Sequence, residues 1–154
     1  MNTKLHFSSA RDDWETPPEV FEPLNREFRF SLDVCANAKN TKCKRWYSVN
    51  KNGIWTGHCW MNPPYGRQIK TWVHHAYWAV RESDTTRYGC AELVCCLLPA
   101  RTDTRWWHDY IWDGTKHCAR PGVEVRFVKG RIKFVGAEHV APFPSAVVIF
   151  RRAR

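Results

Sequence analysis

The sequence lacks any run of about 18 or more apolar residues, the length that a membrane-spanning helix requires. It also lacks an apolar stretch near its first residues, which are polar and charged where a signal peptide would be hydrophobic. From these two absences we expect a soluble protein that remains inside the cell.

Recognisable cysteine spacing is absent as well. The seven cysteines form an odd set without a C-x-x-C pair, so neither a disulfide framework nor a zinc site follows from them. We expect reduced thiols, most of them buried. The adjacent residues His74 and His75 have no third ligand at a suitable spacing, so we expect no metal site.

Acidic residues are few. The chain has 15 Asp and Glu against 24 Lys and Arg, which gives a formal net charge of +9. This excess favours a polyanionic partner such as nucleic acid, although charge alone does not prove one. A length of 154 residues suits one sizeable core but not two ordinary domains, so residues 1–154 are predicted to form a single domain.

Three stretches are predicted to be helices. Thr16, Pro17 and Glu19 match an N-cap, a first helical residue and a capping box, so one helix should begin there. Apolar residues at three- and four-residue steps predict a second helix over residues 68–82. A third helix should follow a cap at Thr102 or Asp103.

Apolar or alternating stretches predict strands between these helices. They cover residues 30–35, 59–61, 92–98, 123–127, 131–135 and 145–150. The stretches 123–127 and 131–135 flank Gly130 and predict a hairpin or a strand with a tight return, whereas residues 41–57 are assigned to loop with room for one short strand. Strands that alternate with helices predict an α/β fold with a largely parallel central sheet.

The tetrapeptide at residues 62–65 carries the clearest chemistry. An adenine amino nitrogen is a poor nucleophile because its lone pair is delocalised into the ring. If the side-chain oxygen of Asn62 and the backbone carbonyl of Pro63 each accept an amino hydrogen, the lone pair becomes localised and can attack a methyl donor. Consecutive prolines stiffen the loop, and Tyr65 can stack on a base flipped out of the duplex.

Position within the fold favours this catalytic interpretation. Four such residues alone more often form a rigid turn with a packing tyrosine, but here they link a strand to an amphipathic helix in a basic chain. Ligands of parallel α/β sheets bind beyond the carboxyl ends of strands, where Asn62 and Asp33 are both predicted to lie. Asp33 has the alternative of capping a turn or pairing with a nearby lysine.

Taken together, these motifs resemble the phage-type DNA adenine-N6 methyltransferases. The resemblance covers most of the chain and rests on residues 13–18, 30–36, 61–66, 98–104 with Trp106, and 142–146. It implies a Rossmann-like methyltransferase fold, S-adenosylmethionine as methyl donor, DNA as substrate and the cytoplasm of a bacterium or phage-infected host as location. The motif order is that of the amino-methyltransferases whose cofactor-binding half comes first.

The resemblance also assigns roles to residues. Catalysis falls to Asn62, Pro63, Pro64 and Tyr65. Cofactor binding falls to Thr16, Pro17, Asp33, Val34, Cys35 and Ala36, with Asn52 in place of the acid often found near the cofactor adenine. The loop after the first strand has Cys35 and Ala36 where the wider class has Gly-x-Gly.

Three more residues are candidates for contacts with the DNA. Phe134 is a candidate to stack on the flipped base, with core packing as the alternative. Arg101 and Lys133 are candidates for phosphate contacts, with simple solvation as the alternative.

Two other functions remain open from the sequence. Methylation of cytosine at N4 needs the same grip on an amino group, but that chemistry more often uses Ser or Asp in place of Asn62. A noncatalytic module that binds single strands through aromatic and basic side chains is the second alternative. Because no added target-recognition region is predicted, we expect recognition of DNA to be short or relaxed.

Overall fold

The structure, a computed structural model, describes residues 14–81 and 87–153. Asp13, the first residue of the motif at 13–18, and Glu82, the predicted end of the second helix, lie outside these ranges.

Three helices and eight strands make up the described fold. The helices are α1 (Pro18–Phe28), α2 (Ile69–Ala79) and α3 (Arg105–Tyr110). The strands are β1 (Leu32–Asp33), β2 (Arg45–Trp46), β3 (Trp55–Met61), β4 (Gly89–Pro99), β5 (Trp112–Asp113), β6 (Cys118–Ala119), β7 (Val123–Phe127) and β8 (Ser145–Arg151). Neither α1 nor α2, at 11 residues each, nor the shorter α3 has the length and apolar character needed to cross a membrane.

Six of the strands form one mixed sheet in the order β2-β1-β3-β4-β8-β7, while β5 and β6 pair separately. Strands β2, β1, β3 and β4 run parallel to one another, whereas β8 is antiparallel to both of its neighbours, β4 and β7. The prediction of an α/β fold with a largely parallel sheet is confirmed at this level.

The sheet centre is the most apolar part of the chain. Residues 93–99 of β4 and 145–150 of β8 are all buried, as expected for strands covered on both faces. Strand β3 is longer than its predicted core of 59–61 because it begins at the fully buried Trp55. Gly57, with φ of 67°, shifts the β3 register and interrupts the alternation that would have indicated a strand.

Both predicted helix caps are wrong. The N-cap of α1 is Pro17, which has no side chain that can cap, and Pro18 takes the first helical position. The Thr16 hydroxyl instead meets Asn62, 46 residues further along. Helix α3 begins after Thr104, whose hydroxyl donates to the Arg101 carbonyl at 2.7 Å rather than capping the helix.

The predicted hairpin is also wrong. Strand β7 pairs with β8, whereas residues 131–135 form no ladder and contribute one isolated bridge, in which the Val135 N–H donates to the Glu15 carbonyl at 3.1 Å. Ile132 and Phe134 are buried, whereas Arg131, Lys133 and Val135 are exposed. A loop laid along the core therefore produced the alternation typical of a strand.

The carboxyl ends of β1 and β3 lie side by side. Asp33 is in register with Trp60, and the Val34 N–H donates to the Trp60 carbonyl at 3.0 Å. Asn62 follows directly after β3. The two strand ends that the sequence predicted as polar thus meet at one edge of the sheet.

Candidate active site

A cavity of about 610 Å³ lies at this edge. Its volume is within the range of small-molecule sites. Seven of the residues predicted to act in catalysis or cofactor binding line it, namely Thr16, Asp33, Cys35, Ala36, Asn62, Pro64 and Tyr65. The fold therefore gathers into one concave site residues that are spread over the first half of the chain.

The Asn62 amide is held in one orientation. Its Nδ2 donates to the Trp14 carbonyl and, at 2.9 Å, to the Thr16 hydroxyl. A backbone carbonyl only accepts hydrogen bonds, so the NH₂ group must face Trp14 and the amide cannot be flipped. Asn62 Oδ1 is thereby directed away from these partners.

Asn62 Oδ1 is a buried acceptor for which the described residues offer no donor. Buried polar atoms in folded proteins nearly always have partners, and a missing one costs about 1–3 kcal/mol. Since Asn62 also lines the cavity, a ligand that brings an N–H to this oxygen would remove that cost. An exocyclic amino group is such a donor.

Asp33 organises the loop that follows β1. It is 2% exposed, and its two carboxylate oxygens accept the backbone N–H groups of Cys35 at 3.2 Å and Lys42 at 3.0 Å. Burial raises the pKa of this carboxyl, and the two N–H donors oppose the rise. Asp33 is thus a turn cap that also forms part of the cavity wall.

Cys35 lines the cavity, where its surroundings disfavour ionisation of the thiol. Burial raises its pKa to about 12, and the Asp33 carboxylate adds to the rise. The thiolate that would attack an electrophile is therefore scarce at neutral pH. All seven cysteines are free thiols, but only Cys59, Cys95 and Cys96 are buried, so the expectation that most would be buried is wrong. Cys118 is exposed.

Tyr65 is fixed between the sheet and two aromatic rings. Its hydroxyl donates to the Leu97 carbonyl at 3.0 Å, and its ring meets those of Phe134 and Phe143 edge to face, with centroids 6.2 and 5.5 Å apart. Burial raises the pKa of the phenol, so it remains neutral. The ring is held rigidly in the cavity wall.

Three predicted site residues are buried behind the lining. Pro17 caps α1, and the Val34 carbonyl accepts a hydrogen bond from Asn52 at 2.8 Å. Pro63 is buried, and within residues 14–81 and 87–153 no group donates to its carbonyl. The Pro63 carbonyl is therefore a second acceptor, next to Asn62, to which none of the described residues donates.

Asn52 is not brought to the cavity. Its Nδ2 donates to the carbonyls of Val34 and Ser48, and its Oδ1 accepts the Trp55 indole N–H at 2.6 Å. Both the NH₂ group and the oxygen of the amide are hydrogen-bonded within the protein, so Asn52 holds the loop after β2 in place. The residues of that loop that do line the cavity are Ser48, Val49 and Asn50.

The three candidate DNA contacts also lie outside the lining. Phe134 is 1% exposed and packs on the Trp14 ring at 5.2 Å as well as on Tyr65. Lys133 is exposed, and the Arg101 guanidinium lies 5.8 Å from the centre of the Phe143 ring. Phe134 therefore supports the cavity wall from behind.

Sequence reasoning missed several lining residues. Glu15 and Lys42 form an ion pair of 3.2 Å at the cavity, and Trp14 and Trp60 contribute indole rings. Trp14 and Glu15 adjoin Thr16 in the motif at 13–18, which was the available signal. Lys42 had none, because it lies in a loop without periodicity. No group of three or more potential metal ligands occurs among the residues that the structure describes.

The mixed sheet and the cavity beyond its parallel strand ends define an α/β protein with a ligand site at the usual place for that class. A model of the family described as DNA N-6-adenine-methyltransferase (Dam) matches residues 3–151, and the chain belongs to this family. The resemblance found in the sequence is thereby confirmed, and with it the class of enzyme.

Two phage proteins illustrate the similarity. The chain is 31% identical over 144 residues to a DNA N-6-adenine-methyltransferase of Haemophilus phage HP1 (strain HP1c1), an alignment that covers 89% of this chain and 72% of the relative. It is 32% identical over 104 residues to a DNA N-6-adenine-methyltransferase of Escherichia phage T1, covering 64% of this chain and 40% of the relative.

Proposed function

We propose that this chain transfers a methyl group from S-adenosylmethionine to the exocyclic N6 of adenine in DNA. The observation that carries the proposal is the Asn62 side chain, which offers a buried, unpartnered Oδ1 among the described residues of the cavity. Family membership supplies the class of reaction, and the oriented amide supplies a group suited to it. We further infer that the mixed sheet is a Rossmann-like methyltransferase sheet and that one domain carries the activity.

Asn62 and Pro63 would act on the amino group. If Oδ1 and the Pro63 carbonyl each accept one N–H, the amino nitrogen moves toward tetrahedral geometry and its lone pair leaves the ring system. Both acceptors are held before substrate arrives, Asn62 by Trp14 and Thr16 and Pro63 by its ring. Such preorganisation is the usual source of electrostatic catalysis.

The cofactor would occupy the part of the cavity beside β1. When bound, S-adenosylmethionine supplies an electrophilic methyl group. Asp33 holds the backbone from Cys35 to Lys42 in a turn, and Glu15 and Lys42 offer opposite charges that suit the amino and carboxylate groups of an amino acid. Ser48 and Asn50, which line the cavity together with Val49, would offer the cofactor the polar contacts that the sequence had assigned to Asn52.

Access to a base in duplex DNA requires flipping it into the cavity. Tyr65 provides an aromatic ring in the wall, and its hydroxyl bond to Leu97 keeps that ring in place. Arg101 and Lys133 remain candidates for phosphate contacts outside the cavity, consistent with a net charge of +9.

The direct test is to incubate the purified chain with S-adenosylmethionine and DNA of mixed sequence, then digest the DNA and identify modified nucleosides by mass spectrometry. We expect N6-methyladenine. Appearance of N4-methylcytosine alone would contradict the choice of base while keeping the chemistry. DNA binding without any methylated nucleoside would show a binding module instead of an enzyme.

A further inference from the structure

A second buried polar atom without a partner lies at the same cavity. The indole Nε1 of Trp14 is buried, and none of the described residues accepts its hydrogen. Among the described residues only three buried side-chain nitrogen or oxygen atoms lack a hydrogen-bond partner. Two of them, Trp14 Nε1 and Asn62 Oδ1, belong to residues that line the cavity. Because such atoms are rare in folded proteins, their concentration at one site indicates a ligand that satisfies both.

The two residues that carry these atoms form one hydrogen-bonded unit. The Trp14 carbonyl accepts the Asn62 amide, which ties the residues together through the backbone of Trp14. The Trp14 ring rests on Phe134 with centroids 5.2 Å apart. The unit thus presents one acceptor, Oδ1, and one donor, the indole N–H. Its complement is a ligand edge with a donor beside an acceptor.

Adenine carries that edge. Its Watson–Crick edge has the N6 amino group, a donor, next to N1, an acceptor, and enzymes that flip bases read this edge. We propose that the Trp14 indole N–H donates a hydrogen bond to N1 of the adenine whose amino group Asn62 holds. The inference rests on the proposed function and adds a substrate-binding residue that chooses the edge of the base and fixes its rotation in the ring plane.

The experiment uses DNA in which the adenine that the protein methylates is replaced by 1-deazaadenine, which lacks N1, or by 7-deazaadenine, which keeps N1. Rates are measured by mass spectrometry of the methylated nucleoside, and DNA affinity by fluorescence anisotropy in the presence of S-adenosylhomocysteine. Trp14→Phe removes the donor and retains a ring against Phe134. Trp112→Phe, at a partly buried tryptophan outside the cavity, is the matched control.

The unsubstituted protein should lose about 10-fold in kcat/KM and in affinity on 1-deazaadenine and little on 7-deazaadenine, the effect of one lost hydrogen bond. Trp14→Phe should lose about 10-fold on ordinary adenine and nothing more on 1-deazaadenine, since the same bond is already absent. Trp112→Phe should behave like the unsubstituted protein.

Equal rates on all three bases, or a loss confined to 7-deazaadenine, would overturn the contact with N1. So would a Trp14→Phe protein that remains sensitive to 1-deazaadenine. If Trp14→Phe fails to fold, as judged by circular dichroism, the two analogues with the unsubstituted protein still decide. Absence of methylation on ordinary adenine would reject the proposed function and this inference together, whereas failure of the inference alone leaves ordinary adenine methylated.

Discussion

The Asn62 amide at the cavity and the charged cluster beside β7 and β8 differ in whether their polar groups are paired. Beside β7 and β8, Arg126 pairs with Glu27 at 2.6 Å and with Glu124 at 2.5 Å, and Arg151 pairs with Glu124 at 2.6 Å. Both arginines also lie over the Phe28 ring. Every charge in this cluster has a partner within the chain.

At the cavity, by contrast, hydrogen bonds orient the Asn62 amide and leave its oxygen without a donor among the described residues. The cluster beside β7 and β8 is complete without a ligand and stabilises the fold. A group that is oriented but lacks a partner lowers the stability of the free protein, and that stability is recovered when a ligand supplies the partner. The contrast separates structural from functional polar residues, and substitutions on each side test it.

The largest expected effect is that of Asn62→Ala. Removing a preorganised acceptor should lower kcat by about 10²–10³-fold while S-adenosylmethionine still binds. Single-turnover methylation and isothermal titration calorimetry measure the two quantities. Asn52→Ala is the matched control, since both its NH₂ group and its oxygen are hydrogen-bonded within the fold. That change should lower the free energy of unfolding by about 1–3 kcal/mol and preserve kcat, so a kcat loss as large as that of Asn62→Ala would break the contrast.

Thr16→Val should have a smaller effect. It removes the hydroxyl that accepts the Asn62 amide at 2.9 Å, while the Trp14 carbonyl remains, so the orientation is loosened but not lost. We expect kcat to fall about 10-fold with KM for DNA little changed. Thr16→Ser, which restores the hydroxyl, should recover most of the rate. If serine does not rescue, Thr16 acts through packing rather than through the amide.

In the charged cluster beside β7 and β8, Arg126→Met should affect stability only. Partial burial acts to raise the pKa of Glu124, but hydrogen bonds from Arg126 and Arg151 outweigh it and lower that pKa below its ordinary value of 4.5. A lowered carboxyl pKa contributes stability above pH 4.5 that disappears as the pH falls through the folded-state value.

The melting temperature of Arg126→Met should therefore lie about 2–4 °C below that of the unsubstituted protein at neutral pH, with the gap closing in acid. Thermal unfolding followed by circular dichroism at several pH values measures it. A gap that widened in acid would have the wrong sign, and a large loss of kcat would mean that this cluster is not purely structural.

The smallest effect concerns the cysteines. Burial raises the pKa of Cys35 to about 12, which keeps its side chain in the unreactive thiol form near neutral pH, whereas Cys118 is exposed. Limited iodoacetamide treatment followed by peptide mass spectrometry should find Cys118 labelled first, with activity retained. Early labelling of Cys35 with loss of activity would identify a reactive thiol inside the cavity.

The sheet centre was predictable because a strand that is buried on both faces has a continuous apolar sequence, as in β4 and β8. The shorter features were not. Gly57 interrupts the alternating pattern at the start of β3, so the sequence did not predict that part of the strand. Burial of Ile132 and Phe134 in a loop gave the alternation of a strand, so a hairpin was wrongly predicted. Local periodicity reports which side chains are buried, and it reports hydrogen-bonded pairing only indirectly.

The site was predictable in membership and not in detail. Asn62 and Asp33 could be placed together because strand ends meet at one edge of a parallel sheet. That Thr16 serves the Asn62 amide instead of a helix, and that Asn52 is committed to Trp55, depends on contacts between distant segments. A threonine before two prolines has the same local pattern in either role.

The bridge between Glu15 and Val135 affects the order in which the sheet and the candidate site form during folding. The segment that orients Asn62 has one of its anchors 120 residues further along the chain, since the bridge joins residue 15 to residue 135. Closing so long a loop is an entropically late step in folding. We therefore expect the bridge at Val135 to close after the strands of the sheet have paired, so that the site is completed later in folding than the sheet that carries it.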